Sequence, residues 1–112
     1  MSAAEEYLDN FARRIMQDAV ATAREKQQLE RARIWDGHAA GWEQPTAAPI
    51  QWEGTEAEYA EFRIARAEAC RNTADKHRRA AAEARRFAEQ VMADHWDEIV
   101  QDVAAERWRE GR

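Results

Sequence analysis

The chain is poor in the residues that punctuate and cross-link proteins. It has 112 residues, with one Cys, two Pro and four Gly. A single Cys70 excludes an internal disulfide, and with it a stapled secreted miniprotein. Three His and one Cys are too few for an ordinary structural zinc set. Four Gly cannot assemble a phosphate-cradling loop, and neither GxGxxG nor GxxxxGK[ST] occurs. GxSxG and HExxH are missing as well. Serine occurs once, as Ser2, so no Ser-His-Asp arrangement can be drawn. Long apolar runs are lacking too: the longest hold four residues or fewer, such as Ala80-Ala81-Ala82, far short of the ~20 that a membrane span needs. The first residues, Met1-Ser2-Ala3-Ala4-Glu5-Glu6, put acid where a signal peptide needs base and then grease. These absences lead us to expect no catalysis, no metal, no cofactor and a cytoplasmic protein.

What is present is helix-forming. The sequence holds 25 Ala, and 15 of its 17 basic residues are Arg. Such a composition is common in GC-rich genomes, actinobacterial or phage. The net charge is −5, which disfavours whole-molecule attraction to nucleic acid. Ala, Glu, Arg and Gln lose little on entering a helix. β-branched residues are few and no period-2 alternation is visible. The expectation is one all-α domain over residues 1–112, either an antiparallel helical hairpin or a three-helix bundle.

Ser2 with Glu5, and Thr55 with Glu58, have capping-box spacing and mark two helix starts. Leu8, Phe11, Ile15, Ala19 and Ala23 make the stripe of a first helix over 3–36, with Gly37 as its stop. Residues 37–54 then form a connection that holds most of the Gly and both Pro. The second stripe runs through Tyr59, Phe62, Ala69, Cys70, Thr73, His77, Ala80, Ala84, Phe87, Ala88 and Val91. Met92, Trp96, Ile99 and Val103 drift roughly 60–120° away from it at about 100° per residue. That drift suggests a break, giving helices over 55–93 and 94–109. So small a domain buries little surface alone, and self-association or a partner helix is expected.

Two constellations could carry binding. Trp35, Trp42 and Trp52 lie in or beside the connection, and aromatic residues often carry interface energy. Arg71, Arg78, Arg79, Arg85 and Arg86 form a basic stripe; residues 63–86 hold eight bases against three acids. Arg presents a planar fork suited to phosphate or carboxylate. The bland alternatives are a Trp-lined loop folded over the helix pair, and a solvated Arg face paired with acids of the first helix. His77 follows Cys70 by seven residues, about 10 Å along a helix, too far for one metal ion.

Trp35-Asp36-Gly37 and Trp52-Glu53-Gly54 are both Trp-x-Gly. An acidic chain of this length with that motif in a helical turn resembles the WXG100 proteins of type VII secretion. The resemblance implies a four-helix dimer exported as a folded pair without a cleavable signal. The chain departs from the family in having two motifs and a longer second half. It also lacks the trailing Tyr-x-x-x-Asp/Glu signal, since neither Tyr7 nor Tyr59 has an acid four residues on. The favoured expectation is a non-enzymatic helical protein acting through protein partners or its own copy, as adaptor, assembly component or inhibitor. The alternative is a small nucleic-acid-associated subunit or phage-encoded inhibitor that uses the Arg stripe.

Overall fold

A computed structural model describes residues 2–111. Two helices account for most of them: α1, Ala3–Glu43, and α2, Glu56–Glu110. There is no strand among the described residues. The fold is all-α and helical-hairpin in kind, and the three-helix alternative is set aside.

Both expected helix starts carry their capping boxes. Ser2 Oγ accepts from the Glu5 amide at 3.2 Å, and the Glu5 carboxylate accepts from the Ser2 amide. Thr55 Oγ1 accepts from the Glu58 amide at 3.1 Å, while the Glu58 carboxylate takes the Thr55 amide. Each box satisfies backbone donors that a helix N-terminus otherwise leaves orphaned.

Two boundaries differ from expectation. Gly37 does not stop α1, which continues through Gly37 and Gly41 to Glu43. A helical Gly costs about 1 kcal/mol relative to Ala, and tertiary contacts beyond it outweigh that. Trp42 packs edge-on to Phe62 of α2. The last turn of α1 has no basic residue of its own. Instead Arg63 of α2 donates to the carbonyls of Trp42 and Gln44, the latter at 2.7 Å. A cation there answers the negative end of the helix dipole. The second difference is at residues 93–94, where no break occurs and α2 is one helix of 55 residues. The connection is therefore 44–55, shorter than the expected 37–54.

The described chain forms two compact units. Residues 26–81 make one, with the ends of α1 and α2 joined by the connection. Residues up to Glu25 and from Ala82 onward make the other, pairing the start of α1 with the end of α2. We call them the turn unit and the terminal unit.

The buried residues are small. Those of α1 are Ala21, Ala32 and Ala39; those of α2 are Ala67, Cys70, Ala74, Ala81, Ala84, Ala88, Val91 and His95. With half-buried Ala60, Arg63, His77 and Ile99, the α2 set advances mostly in alternating steps of three and four residues. On α1, half-buried Asp18, Glu25, Gln28, Asp36 and Trp42 fill the gaps between alanines. A mean step near 3.5 residues is the heptad of a left-handed coiled coil. Alanine at these positions lets helices approach closely, but each alanine removes little apolar area from water. The seam thus differs from the stripe expected from hydropathy. Cys70, His77, Ala84, Ala88 and Val91 lie on it, whereas Ile15, Phe62 and Phe87 are exposed.

Candidate interaction surfaces

In the turn unit, Trp42 and Trp52 close the end of the helix pair. Trp52 meets Tyr59 at 5.2 Å and Phe62 at 5.3 Å between ring centroids, and its Nε1 donates to the Thr55 carbonyl. Tyr59 and Phe62 stack on each other. The Arg66 guanidinium sits over the Trp42 and Phe62 rings. Gly54 allows the tight entry into α2, with φ +155, and a Cβ there would meet Trp52 Nε1 at 3.1 Å. Trp35 is elsewhere: it lies within α1, at the edge of exposure, against His38. Two of the three candidate tryptophans therefore form one aromatic cap, and the third stands apart. The first Trp-x-Gly lies inside α1, and the second lies in the connection immediately before α2.

The Arg stripe divides in the same way. Arg71 forks onto Glu43, with Nε to Oε1 at 2.6 Å and Nη2 to Oε2 at 2.9 Å, and also reaches Asp36. Arg78 bridges Asp36 and Asp75. The hydrogen bonds from Arg71 hold the Glu43 carboxyl below the usual carboxylate range. Hydrogen bonds to these acids likewise raise both guanidinium groups above their ordinary value. Arg85 pairs along its own helix with Glu89. Arg79 and Arg86 are exposed and make no ion pair with a described residue. Of five candidate arginines, then, two are tied to α1, one to its own helix, and two point to solvent.

The terminal unit brings together residues from both of its helices. His95 is buried and lies against Phe11 at 4.9 Å and Tyr7 at 6.5 Å between ring centroids. Arg14 donates to His95 Nδ1 at 3.4 Å and forms an ion pair with Glu98. An arginine can only donate, so Nδ1 accepts and the ring proton belongs on Nε2. The hydrogen bond from Arg14 holds the Glu98 carboxyl below its usual range. An open recess beside this cluster is lined by Tyr7, Asn10, Arg14, His95, Glu98 and Asp102. No group of three or more His, Cys, Asp or Glu among the described residues could hold a metal ion. The free thiol of Cys70 is buried in the turn unit.

The outer surfaces of the terminal unit carry large apolar side chains among charged ones. On α1, Leu8, Ile15, Met16 and Val20 are exposed; on α2, Trp96, Val100 and Val103 are exposed, with Ile99 half-buried beside them. Ile99, Val100, Val103, Ala104 and Arg107 line a shallow apolar hollow. The set that suggested a helix break is thus an outward stripe on an unbroken helix. The arrangement is inverted relative to an ordinary amphipathic helix: half-buried Arg14 and Asp18 sit on the seam side while larger apolar side chains look outward. No described helix is long and apolar enough to cross a membrane. No protein family, curated protein or solved structure that was compared matches this chain.

Proposed function

We propose that the chain is a non-enzymatic interaction protein whose working surface is the outer apolar face of the terminal unit. One observation carries this reading: among the described residues every buried apolar side chain is Ala, Cys or Val, while most of the large exposed apolar ones, Leu8, Ile15, Met16, Trp96, Val100 and Val103 among them, belong to the terminal unit. Large apolar surfaces gathered on one part of a protein mark interaction sites. Trp and neighbouring aliphatic side chains are the anchors that such interfaces use. The partner is protein, and the role is adaptor, assembly component or inhibitor. Trp42 and Trp52 serve the turn unit as packing and Trp35 belongs to that unit too, which leaves Trp96 as the aromatic anchor of this face.

The test is capture from the native cell with the full chain and two variants, Ile15→Glu and Trp96→Glu. Partner recovery should fall with both while far-UV circular dichroism stays helical. A helical variant that recovers every partner of the wild type overturns the reading. Arg79 and Arg86, exposed and unpaired with described acids, support a second reading in which these arginines of α2 meet a phosphate backbone. That reading requires DNA or RNA affinity that falls steeply with salt. The placement of Trp52-Glu53-Gly54 directly before α2 supports the WXG100 likeness. That likeness requires the chain outside the cell as a helical pair.

A further inference from the structure

We propose that the outer face of the terminal unit is covered by the same face of a second copy, with α1 of each chain lying on α2 of the other. This rests on the interaction reading above and names its partner. Area is the first argument. The chain exposes 8908 Å², whereas a folded chain of 13.0 kDa ordinarily exposes about 6,300 Å². The difference, about 2,600 Å², is as large as the area each subunit gives up in a substantial obligate dimer, roughly 1,000–2,500 Å².

Symmetry is the second argument. A two-fold interface needs a patch that complements itself. The terminal unit has two apolar stripes of similar length. Leu8 to Val20 spans about 18 Å and Met92 to Ala104 also about 18 Å, at 1.5 Å per residue. A copy turned by a two-fold axis presents its α2 stripe to the first copy's α1 stripe, and the reverse.

Charge selects this crossed arrangement. Over the α1 stripe, residues 8–20, Arg13 and Arg14 offset Asp9 and Asp18, a net of zero. Over the α2 stripe, residues 92–104, Asp94, Asp97, Glu98 and Asp102 stand with no Lys or Arg, a net of −4. Setting α2 on α2 would oppose two strongly acidic segments, and like charge across an interface is costly. Setting α1 on α2 instead meets the acidic segment with the less charged α1 stripe. The Leu8, Ile15 and Met16 side chains then meet Trp96, Ile99 and Val103.

Sedimentation velocity on the full chain tests the proposal. The wild type should sediment as a dimer at tens of micromolar. Ile15→Glu and Trp96→Arg should each be monomeric. An equal mixture of the two variants should recover dimer, because one of its two crossed contacts becomes Glu against Arg and the other stays native. Ile64→Glu, at an equally exposed apolar position of the turn unit, should leave the dimer intact. A monomeric wild type overturns the proposal, and so does an Ile15→Glu variant that remains dimeric. A mixture that stays monomeric overturns the crossed arrangement. If the wild type is monomeric yet loses cellular partners on Ile15→Glu, the second copy is wrong and the interaction face stands. If it is monomeric and loses none, both fail.

Discussion

Replacing Ala74 with leucine probes the alanine seam where two effects of similar size oppose each other. Ala74 on α2 and Ala39 on α1 are both at 0% exposure. Leucine adds three carbons. With room to accept them, burial would stabilise by about 0.8 kcal/mol per carbon, ~2.4 kcal/mol in all. Without room, overpacking costs about 1–3 kcal/mol. The second effect should win, because the seam around Ala74 is built of other small residues, Ala67, Cys70 and Ala81, packed at short range. Nothing there can shrink, so the added carbons must push the helices apart. For a chain of this size 1 kcal/mol moves Tm by about 4 °C. Ala74→Leu should therefore melt about 4–12 °C lower. Ala12→Leu, on the exposed side of α1, should cause no such loss. The assay is thermal unfolding by circular dichroism at one fixed protein concentration, since association shifts Tm by mass action. An Ala74→Leu variant that melts at or above the wild type would falsify the closed-seam account.

The other predictions concern the turn, the glycines and acid. Trp52→Ala removes two ring contacts of about 0.5–1.5 kcal/mol each and a hydrogen bond of about 1 kcal/mol. It should destabilise by about 2–4 kcal/mol in denaturant titration, and a loss below 1 kcal/mol would show the aromatic cap to be ornamental. Gly37→Ala should stabilise by up to about 1 kcal/mol, because the site is helical and an added Cβ meets nothing within 4 Å; Gly54→Ala should destabilise, its φ of +155 being strained for alanine. A reversal of either sign in paired melts would contradict the backbone assignment. Glu43 and Glu98 have folded pKa values held below the ordinary one by Arg71 and Arg14. Their contribution is therefore complete above the usual carboxylate range and is lost as pH falls through the depressed folded values. Glu43→Gln with Glu98→Gln should flatten the acid limb of Tm against pH, most visibly at low salt, and an unchanged limb would count against these pairs.

The helices and their starts were legible because Ser2-Glu5 and Thr55-Glu58 are local signals that operate within four residues. The end of α1 was not. Gly37 is a true local penalty, but the contacts that carry the helix past it come from Arg63 and Phe62, some twenty residues further along the chain. The apparent break near Asp94 misled for a related reason. Hydropathy marks large residues, and the seam is made of alanine, which marks itself weakly. His77, Ala84, Ala88 and Val91 stand on the expected stripe, but the full heptad Ala74, His77, Ala81, Ala84, Ala88, Val91, His95 emerges only once the register is known. Met92, Trp96 and Val103 then read as a second face rather than as a bent first one. Of the candidate binding residues, Arg71 and Arg78 were visible as a stripe, but their acids, Asp36 and Glu43, lie on the other helix. Spacing within α2 alone could not pair them. Leu8 and Ile15 read as core in the sequence because apolar residues at helical spacing usually are.

Met16 and Trp96 provide the most direct measure of whether that outer face is covered. They are 68% and 60% exposed in the single chain, and both oxidise readily when water reaches them. Hydroxyl-radical footprinting of the full chain, followed across a dilution series, reads each side chain separately. Both should be protected at tens of micromolar and become reactive together on dilution, while exposed Trp35 keeps one rate throughout. Oxidation of Met16 and Trp96 at concentration-independent rates, matching their single-chain exposure, would contradict the account.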